Sequence, residues 1–188
     1  MQSSKSQHYL NQCIQAAEKS TMSFTLGAVL VKGGKVIAHG HNHQRTNYDG
    51  SCKQPGRKPI SMHAEMHTIS NATGLTPSFK SQLQPYFEEK QGELPYPTLT
   101  RGNSNKRNKR TNGTDIYVVR VASGTTPVGS ARPCARCLFW CYWAGIRRVF
   151  YWDASAGGFV SVKPLEVDIM AYVTQADRKI ADGSFEFI

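Results

Sequence analysis

Two short stretches hold the side chains that bind transition metals and move protons. Residues 61–68 read SMHAEMHT, and residues 131–139 read ARPCARCLF. Together they offer His63, Glu65, Cys134 and Cys137. Zinc favours cysteine sulfur and histidine nitrogen, and a catalytic zinc keeps three protein ligands and one open position. The Cys134-x-x-Cys137 spacing lets two thiolates grip one ion at a helix start, where the positive helix end favours thiolate. His63 completes a set of three. Glu65 stands two residues after His63, too close for easy co-ligation of the same ion. A carboxylate there suits proton transfer between water and a leaving group.

Competing uses of these residues fit less well. A structural zinc ribbon needs a fourth protein ligand, often from a second cysteine pair. Cys52 has no neighbouring cysteine, and Cys141 falls one turn further along the helix of Cys137, where core packing accounts for it. A redox-active cysteine pair leaves His63 and Glu65 unexplained. His67 follows His63 by four residues and shares its helix face. With the cysteine pair present, a supporting or solvent-facing role is expected for it.

Helices and strands must bring these stretches together. Apolar residues at Tyr9, Leu10, Cys13, Ile14, Ala16 and Ala17 predict an amphipathic helix. Two apolar runs around Gly33-Gly34 predict a hairpin, with strands near Phe24–Val31 and Lys35–Gly40. The stretch His41–Ile60 reads as loop. A helix follows, with Ser61 as N-cap and Gly74 just past its end. Asp115–Ala122 reads as a strand. PCARCLFWCYWAG reads as a helix with Pro133 at its first position and Gly145 as C-cap, and IRRVFYW as a further strand. A strand or short helix at Leu165–Val173 and a helical turn at Gln175–Ala181 complete the pattern. Residues 75–114 read as a loop-rich insertion, with a short helix near Lys80–Lys90. The order of elements predicts an α/β layered domain with a mixed sheet.

The composition is that of an ordinary globular chain: 188 residues, 39% hydrophobic and 19% charged. No apolar run is long enough to span a bilayer, and the N-terminus lacks a secretory pattern. A cytoplasmic location is expected, with the nucleus as the alternative. The odd cysteine count, five, argues against a disulfide framework. The net charge of +10 favours an anionic partner. Arg45, Lys53, Arg57 and Lys58 lie where they could reach a substrate phosphate. The run Arg101–Arg110 carries five basic and no acidic residues, but no aromatic residue interleaves it. That absence weakens a single-strand nucleic-acid reading and favours a solvated run.

His63-Ala64-Glu65 and Pro133-Cys134-Ala135-Arg136-Cys137 match the H-x-E…P-C-x-x-C signature of zinc deaminases. With it the chain resembles the cytidine deaminase-like superfamily over roughly residues 5–74 and 115–153. The resemblance implies a three-layer α/β/α domain with a central mixed β-sheet, a single domain over 1–188 with a basic insertion at about 75–114. It implies a Zn2+ cofactor held by His63, Cys134 and Cys137, with Glu65 as the proton carrier. The implied reaction is hydrolytic, converting a ring C–NH2 to C=O and releasing ammonia. By the same resemblance Asn42 contacts the sugar or base of the substrate. The Ala64 N–H and the carbonyls just before Pro133 touch the reacting base, which makes Arg132 and Pro133 substrate-binding positions. A homodimer is also expected.

For the substrate, SARPCARCLFWCYWAGIRRVFYW is most similar to the fungal pyrimidine deaminases of riboflavin biosynthesis. This implies a small phosphorylated aminopyrimidine, 2,5-diamino-6-ribitylamino-4(3H)-pyrimidinone 5'-phosphate. The alternatives are a tRNA or polynucleotide deaminase and a dCMP-type nucleotide deaminase. HAEM resembles the tRNA adenosine deaminases, but Arg132 stands where their EPC motif has glutamate. Tyr151, Trp152 and Asp153 resemble a segment of polynucleotide cytidine deaminases.

Overall fold

A computed structural model describes residues 3–44, 61–75, 107–122, 126–164 and 166. Helix α1 spans Ser4–Ala17 and is capped by Ser3, whose hydroxyl accepts from the Ser6 N–H. Its buried residues, Tyr9, Leu10, Cys13, Ala16 and Ala17, follow the three-and-four spacing of one helix face. Strands β1 (Thr25–Lys32) and β2 (Lys35–His41) form an antiparallel hairpin. Its turn places both Gly33 and Gly34 at positive φ, 56° and 81°. That backbone matches the twist of the flanking strands and suits glycine.

Helix α2 spans Ala64–Thr73, strand β3 Asp115–Val121 and helix α3 Ala135–Ala144. Strands β4 (Arg148–Asp153) and β5 (Gly158–Val162) follow. The sheet order is β2-β1-β3-β4-β5. Only β3 and β4 pair in parallel among the described strands, and α3 lies in the connection between them. A parallel pair needs such a crossover.

Alternation along the strands divides the core. Ala28 and Leu30 of β1 and Ile116 and Val118 of β3 face α2 and α3. Val29, Val31, Val119 and Val121 face α1 with Tyr9, Leu10 and Cys13. The result is a three-layer α/β/α domain around a mixed sheet. Every residue of α3 is buried, so this helix is apolar nearly all round, as its position demands. A fully buried large apolar side chain such as Trp140 or Leu30 contributes about 1.5–3 kcal/mol. Gly40 sets the distance between α2 and the sheet. A Cβ there would lie 2.4 Å from the Thr68 backbone nitrogen and 2.8 Å from the Ala64 carbonyl oxygen.

Several boundaries differ from the sequence reading. Ser61 does not cap α2, because Met62 is drawn into a two-way backbone pairing with His43 and the helix starts only after His63. Pro133 is not in the first turn of α3. Cys134 keeps an extended backbone and takes the cap position, leaving the proline outside the helix. Strand β4 begins at Arg148 rather than Ile146, since Ile146 and Arg147 bond back to Cys141 and Thr114. Strand β5 was not anticipated: GFVSV is short, although its glycine start and alternation carry a weak signal. The last residues before β3 are packed rather than free. Thr111 and Thr114 are fully buried, and the Thr111 hydroxyl donates to the Ala144 carbonyl at 2.6 Å. The elements expected at Lys80–Lys90 and Gln175–Ala181, and nearly all of Leu165–Val173, lie outside the described residues. So do Arg45, Lys53, Arg57, Lys58 and most of Arg101–Arg110. No helix among the described residues is long and apolar enough to cross a membrane.

Candidate active site

Two helix starts build the site. His63 is the N-cap of α2 and Cys134 the N-cap of α3, with nearly the same backbone: φ −76°, ψ 155° and φ −73°, ψ 166°. Cap positions favour serine, threonine, aspartate or asparagine, whose side chains satisfy the first helical N–H groups. Neither His63 nor Cys134 makes such a bond. Their side chains turn to each other instead. A departure from local preference of this kind is expected at a functional site.

Each start is held by a backbone pairing to the sheet side. Met62, fully buried, exchanges two hydrogen bonds with His43, at 2.9 and 3.1 Å, just beyond the end of β2. The Ala131 N–H donates to the Trp152 carbonyl at 2.8 Å, and Ser130 bridges to Asp153. The Tyr151–Asp153 segment therefore anchors the loop that delivers Cys134, and Tyr151 is itself buried in the core.

The ligand atoms converge. His63 Nδ1 lies 3.2 Å from Cys137 Sγ and 3.5 Å from Cys134 Sγ. One ligand atom from each of the three residues lies within 4.8 Å of the others. A tetrahedral zinc with Zn–N of about 2.0 Å and Zn–S of about 2.3 Å holds its nitrogen and sulfur ligands roughly 3.5 Å apart. The observed spacing fits that ion, and the Cys2His donor set suits it chemically. His67 is not part of the trio. Its Nδ1 lies 2.9 Å from the His41 carbonyl oxygen, and its ring packs against those of His41 and His43. Cys141 is fully buried among the core residues of α3, and burial pushes its thiol well up.

The trio is electrostatically coupled. A hydrogen bond from Cys137 draws the Cys134 thiol well below its ordinary range against the opposing effect of burial, and the charges of His63 and Arg136 add to it. Burial pushes the Cys137 thiol well up, reinforced by the bond and charge of Cys134. His63 keeps some exposed surface, yet its imidazole is ringed by protein. Burial pulls that ring down, but the Cys134 charge and hydrogen bond outweigh it and the ring is raised.

Glu65 occupies the first turn of α2 and is only 3% exposed. Its Oε2 is buried with no hydrogen-bond partner among the described residues. Burial raises its carboxyl above the usual carboxylate range, although the nearby His63 charge opposes this. An unsatisfied buried carboxylate oxygen costs free energy, so its presence calls for a ligand or a reaction.

The remaining sequence candidates take different positions. Ala64, fully buried, is the first helical residue of α2, where N–H groups lack intrahelical acceptors. Pro133 is buried and Arg132 is exposed, both immediately before Cys134. Asn42 is 6% exposed and ties the entry of β1 to the exit of β2. Its Oδ1 accepts from the Leu26 N–H and the Ser20 hydroxyl, each at 2.8 Å, and its Nδ2 donates to the Phe24 carbonyl at 2.6 Å. The other Nδ2 contact is the Met22 thioether at 3.4 Å, a weak acceptor.

Arg136 is the site residue that sequence reasoning missed. It is 5% exposed, and its Nη2 lies 3.3 Å from His63 Nε2, the ring nitrogen away from the sulfurs. The available signal was its position between the two candidate metal-binding cysteines, at the head of an otherwise uncharged helix.

The family described as "Cytidine and deoxycytidylate deaminase zinc-binding region" matches residues 3–153. No curated protein sequence matches the chain. Among solved structures, a cytidine deaminase from Burkholderia pseudomallei is similar at 17% identity, covering 84% of this chain and 91% of that one, with a TM-score of 0.49. A dCMP deaminase from the cyanophage S-TIM5 is similar at 16% identity, covering 79% and 82%, with a TM-score of 0.42. RibD of Acinetobacter baumannii shares 16% identity over 77% of this chain but only 27% of its own, with a TM-score of 0.36. The match over residues 3–153 spans both helix starts and every ligand described above, and the chain belongs to the cytidine and deoxycytidylate deaminase zinc-binding family of hydrolytic deaminases.

Proposed function

We propose that this protein deaminates a small phosphorylated aminopyrimidine, with Glu65 as the proton carrier. The observation that carries the reading is the buried Glu65 Oε2, without a hydrogen-bond partner among the described residues, in the first turn of the helix that His63 caps. Zinc held by His63, Cys134 and Cys137 would supply the Lewis acidity that makes water nucleophilic at neutral pH. Glu65 takes one proton from the attacking water as the water oxygen bonds to the ring carbon, and gives it to the ring nitrogen. As the carbonyl forms it takes the remaining hydroxyl proton and gives it to the departing amine. One water is consumed, the C–NH2 bond breaks, and ammonia and a ring C=O are formed. The raised carboxyl of Glu65 suits a group that must both accept and return a proton.

Substrate contacts are assigned by position. The Ala64 N–H, free of an intrahelical acceptor, faces the reacting base with the carbonyls just before Pro133, that of Arg132 among them. The Asn42 amide hydrogen now on the Met22 thioether is the one a substrate hydroxyl would claim, since a thioether is a poor acceptor. The net charge of +10 and the exposed Arg132 beside the metal ligand support a phosphorylated substrate. The ring we favour is 2,5-diamino-6-ribitylamino-4(3H)-pyrimidinone 5'-phosphate, as in riboflavin biosynthesis. A deoxycytidylate substrate is the second reading, favoured by the family to which the chain belongs.

An ammonia-release panel with zinc-loaded protein tests this. It contains the riboflavin intermediate, dCMP, CMP, cytosine, guanine and a tRNA anticodon hairpin. Turnover of the riboflavin intermediate or dCMP is expected. Turnover confined to the hairpin would replace the small-molecule reading, and no turnover by zinc-bound protein would overturn it.

A further inference from the structure

The candidate metal site occupies one end of the sheet, and the other end is strongly basic. Strand register lays out that second end. Lys32 and Lys35 face each other at the hairpin turn, Asp115 at the start of β3 sits opposite Val31, and Arg148 at the start of β4 sits opposite Asp115. The row from β2 to β4 covers three strand spacings, about 14 Å. Lys109 and Arg110 join it, because the Lys32 ammonium donates to their carbonyls at 2.6 and 3.4 Å. Cys134 begins α3 at the opposite end, where Ser130 and Ala131 pair with Asp153 and Trp152. The 10 residues of α3 put about 15 Å between the two ends.

Charge at the basic end is unbalanced. Arg147 and Arg148 both pair with Asp115, at 2.6 and 3.4 Å, so one carboxylate serves two guanidiniums. Lys163 and Glu166, beyond β5, pair with each other at 2.7 Å. Lys32, Lys35, Lys109 and Arg110 are exposed and have no carboxylate partner among the described residues. The turn that carries Lys109 and Arg110 is fastened to the end of α3. The Thr111 hydroxyl donates to the Ala144 carbonyl at 2.6 Å, and the Gly113 N–H to the Gly145 carbonyl at 2.8 Å. The cations are thus held near one another before any partner arrives, and their mutual repulsion favours a polyanion.

We propose that this basic end docks the phosphate backbone of a nucleic-acid duplex without reading its bases. The row matches about four phosphates along one strand, spaced about 3.4 Å along the helix axis. Ammonium and guanidinium groups neutralise phosphates and fix position without sequence information. A membrane surface fits less well, because it also calls for apolar side chains that insert. Among the described residues the exposed large apolar side chains are Phe24, just before β1 at the metal end, and Ile37, a single side chain on β2. A duplex held here lies away from the metal ligands, so it anchors the protein and does not supply the reacting base.

The zinc-loaded full chain is titrated with a fluorescent RNA duplex of arbitrary sequence, about 20 base pairs long, at about 50 to 200 mM salt. Phosphatidylserine–phosphatidylcholine vesicles are the second probe. The triple variant Lys35→Gln, Lys109→Gln, Arg110→Gln removes three exposed charges whose side chains make no hydrogen bond among the described residues. It is expected to weaken duplex binding about 10–100-fold and to flatten the slope of log affinity against log salt by about 2–3. Lys19→Gln removes a charge at the metal end, next to Ser20, which bonds to Asn42. It is expected to change affinity by less than about twofold, because salt screens distant charges. The proposal is overturned by no saturable duplex binding at the lowest salt, or by undiminished binding in the folded triple variant. An equal loss in Lys19→Gln, or vesicle binding without duplex binding, overturns it too. If the triple variant does not fold, Lys109→Gln alone is expected to flatten the slope by about 1, and an unchanged slope overturns the proposal equally. Neither readout depends on turnover.

Discussion

His63 Nδ1 and Cys134 Sγ lie 3.5 Å apart although 71 residues separate them in the chain. Each is the N-cap of its own helix, and neither spends its side chain on capping. Two helix starts are thus joined through a candidate metal-binding pair rather than completed locally. Zinc removal should then loosen both starts at once. Chelation is expected to lower the melting temperature in proportion to the logarithm of the zinc concentration above the dissociation constant. A melting temperature indifferent to zinc would contradict a ligand role for this pair.

Glu65→Gln separates proton transfer from metal binding. The amide keeps the shape of the side chain, and no ligand is lost. Zinc content should stay unchanged while kcat falls by about 10²–10⁴-fold. Stability should hold or rise, because a buried carboxylate with one oxygen unsatisfied among the described residues is replaced by a neutral group. Metal analysis and single-turnover kinetics check this, and a loss of less than tenfold would exclude Glu65 as proton carrier.

Gly40→Ala should move α2 and weaken the metal site from a distance. The new Cβ would sit 2.4 Å from the Thr68 nitrogen, a backbone atom that can yield only by shifting the helix. The expected cost is about 1–3 kcal/mol in urea denaturation, with weaker zinc binding because α2 carries His63. Unaltered stability and zinc affinity would mean that the helix yields freely.

Cys141→Ala distinguishes core from ligand. Cys141 lies fully buried among the core residues of α3, outside the converging trio. The variant should lose roughly 1–2 kcal/mol of stability and bind zinc with wild-type stoichiometry. Loss of the metal would place a fourth ligand at this position.

Asn42→Ala should be costly before any substrate is added. The Leu26 N–H and the Phe24 carbonyl would lose the partner that now joins them. A cost of about 1–3 kcal/mol is expected, together with a raised KM if the amide also meets the substrate. A raised KM without loss of stability would show that these internal bonds matter little.

Residue type and local pattern were enough to read much of this protein. Histidine and two thiolates name a metal by their chemistry, and a nearby carboxylate marks the metal as catalytic. Apolar periodicity set out α1 and the hairpin, because Tyr9, Leu10 and Cys13, and the runs around Gly33-Gly34, respond to neighbours close in the chain. Helix starts were harder to read. The N-cap of α2 moved from Ser61 to His63 because Met62 pairs with His43, a contact spanning a loop. Only the tertiary structure decided that α2 and α3 pack on one face of the sheet, where their starts meet. It alone put Arg136 against His63 and spent the Asn42 amide on Ser20, Leu26 and Phe24. The physical reason is the range of the interactions. Coordination chemistry and periodicity are local properties of the sequence, whereas convergence, burial of charge and hydrogen-bond occupancy depend on which distant segments pack together.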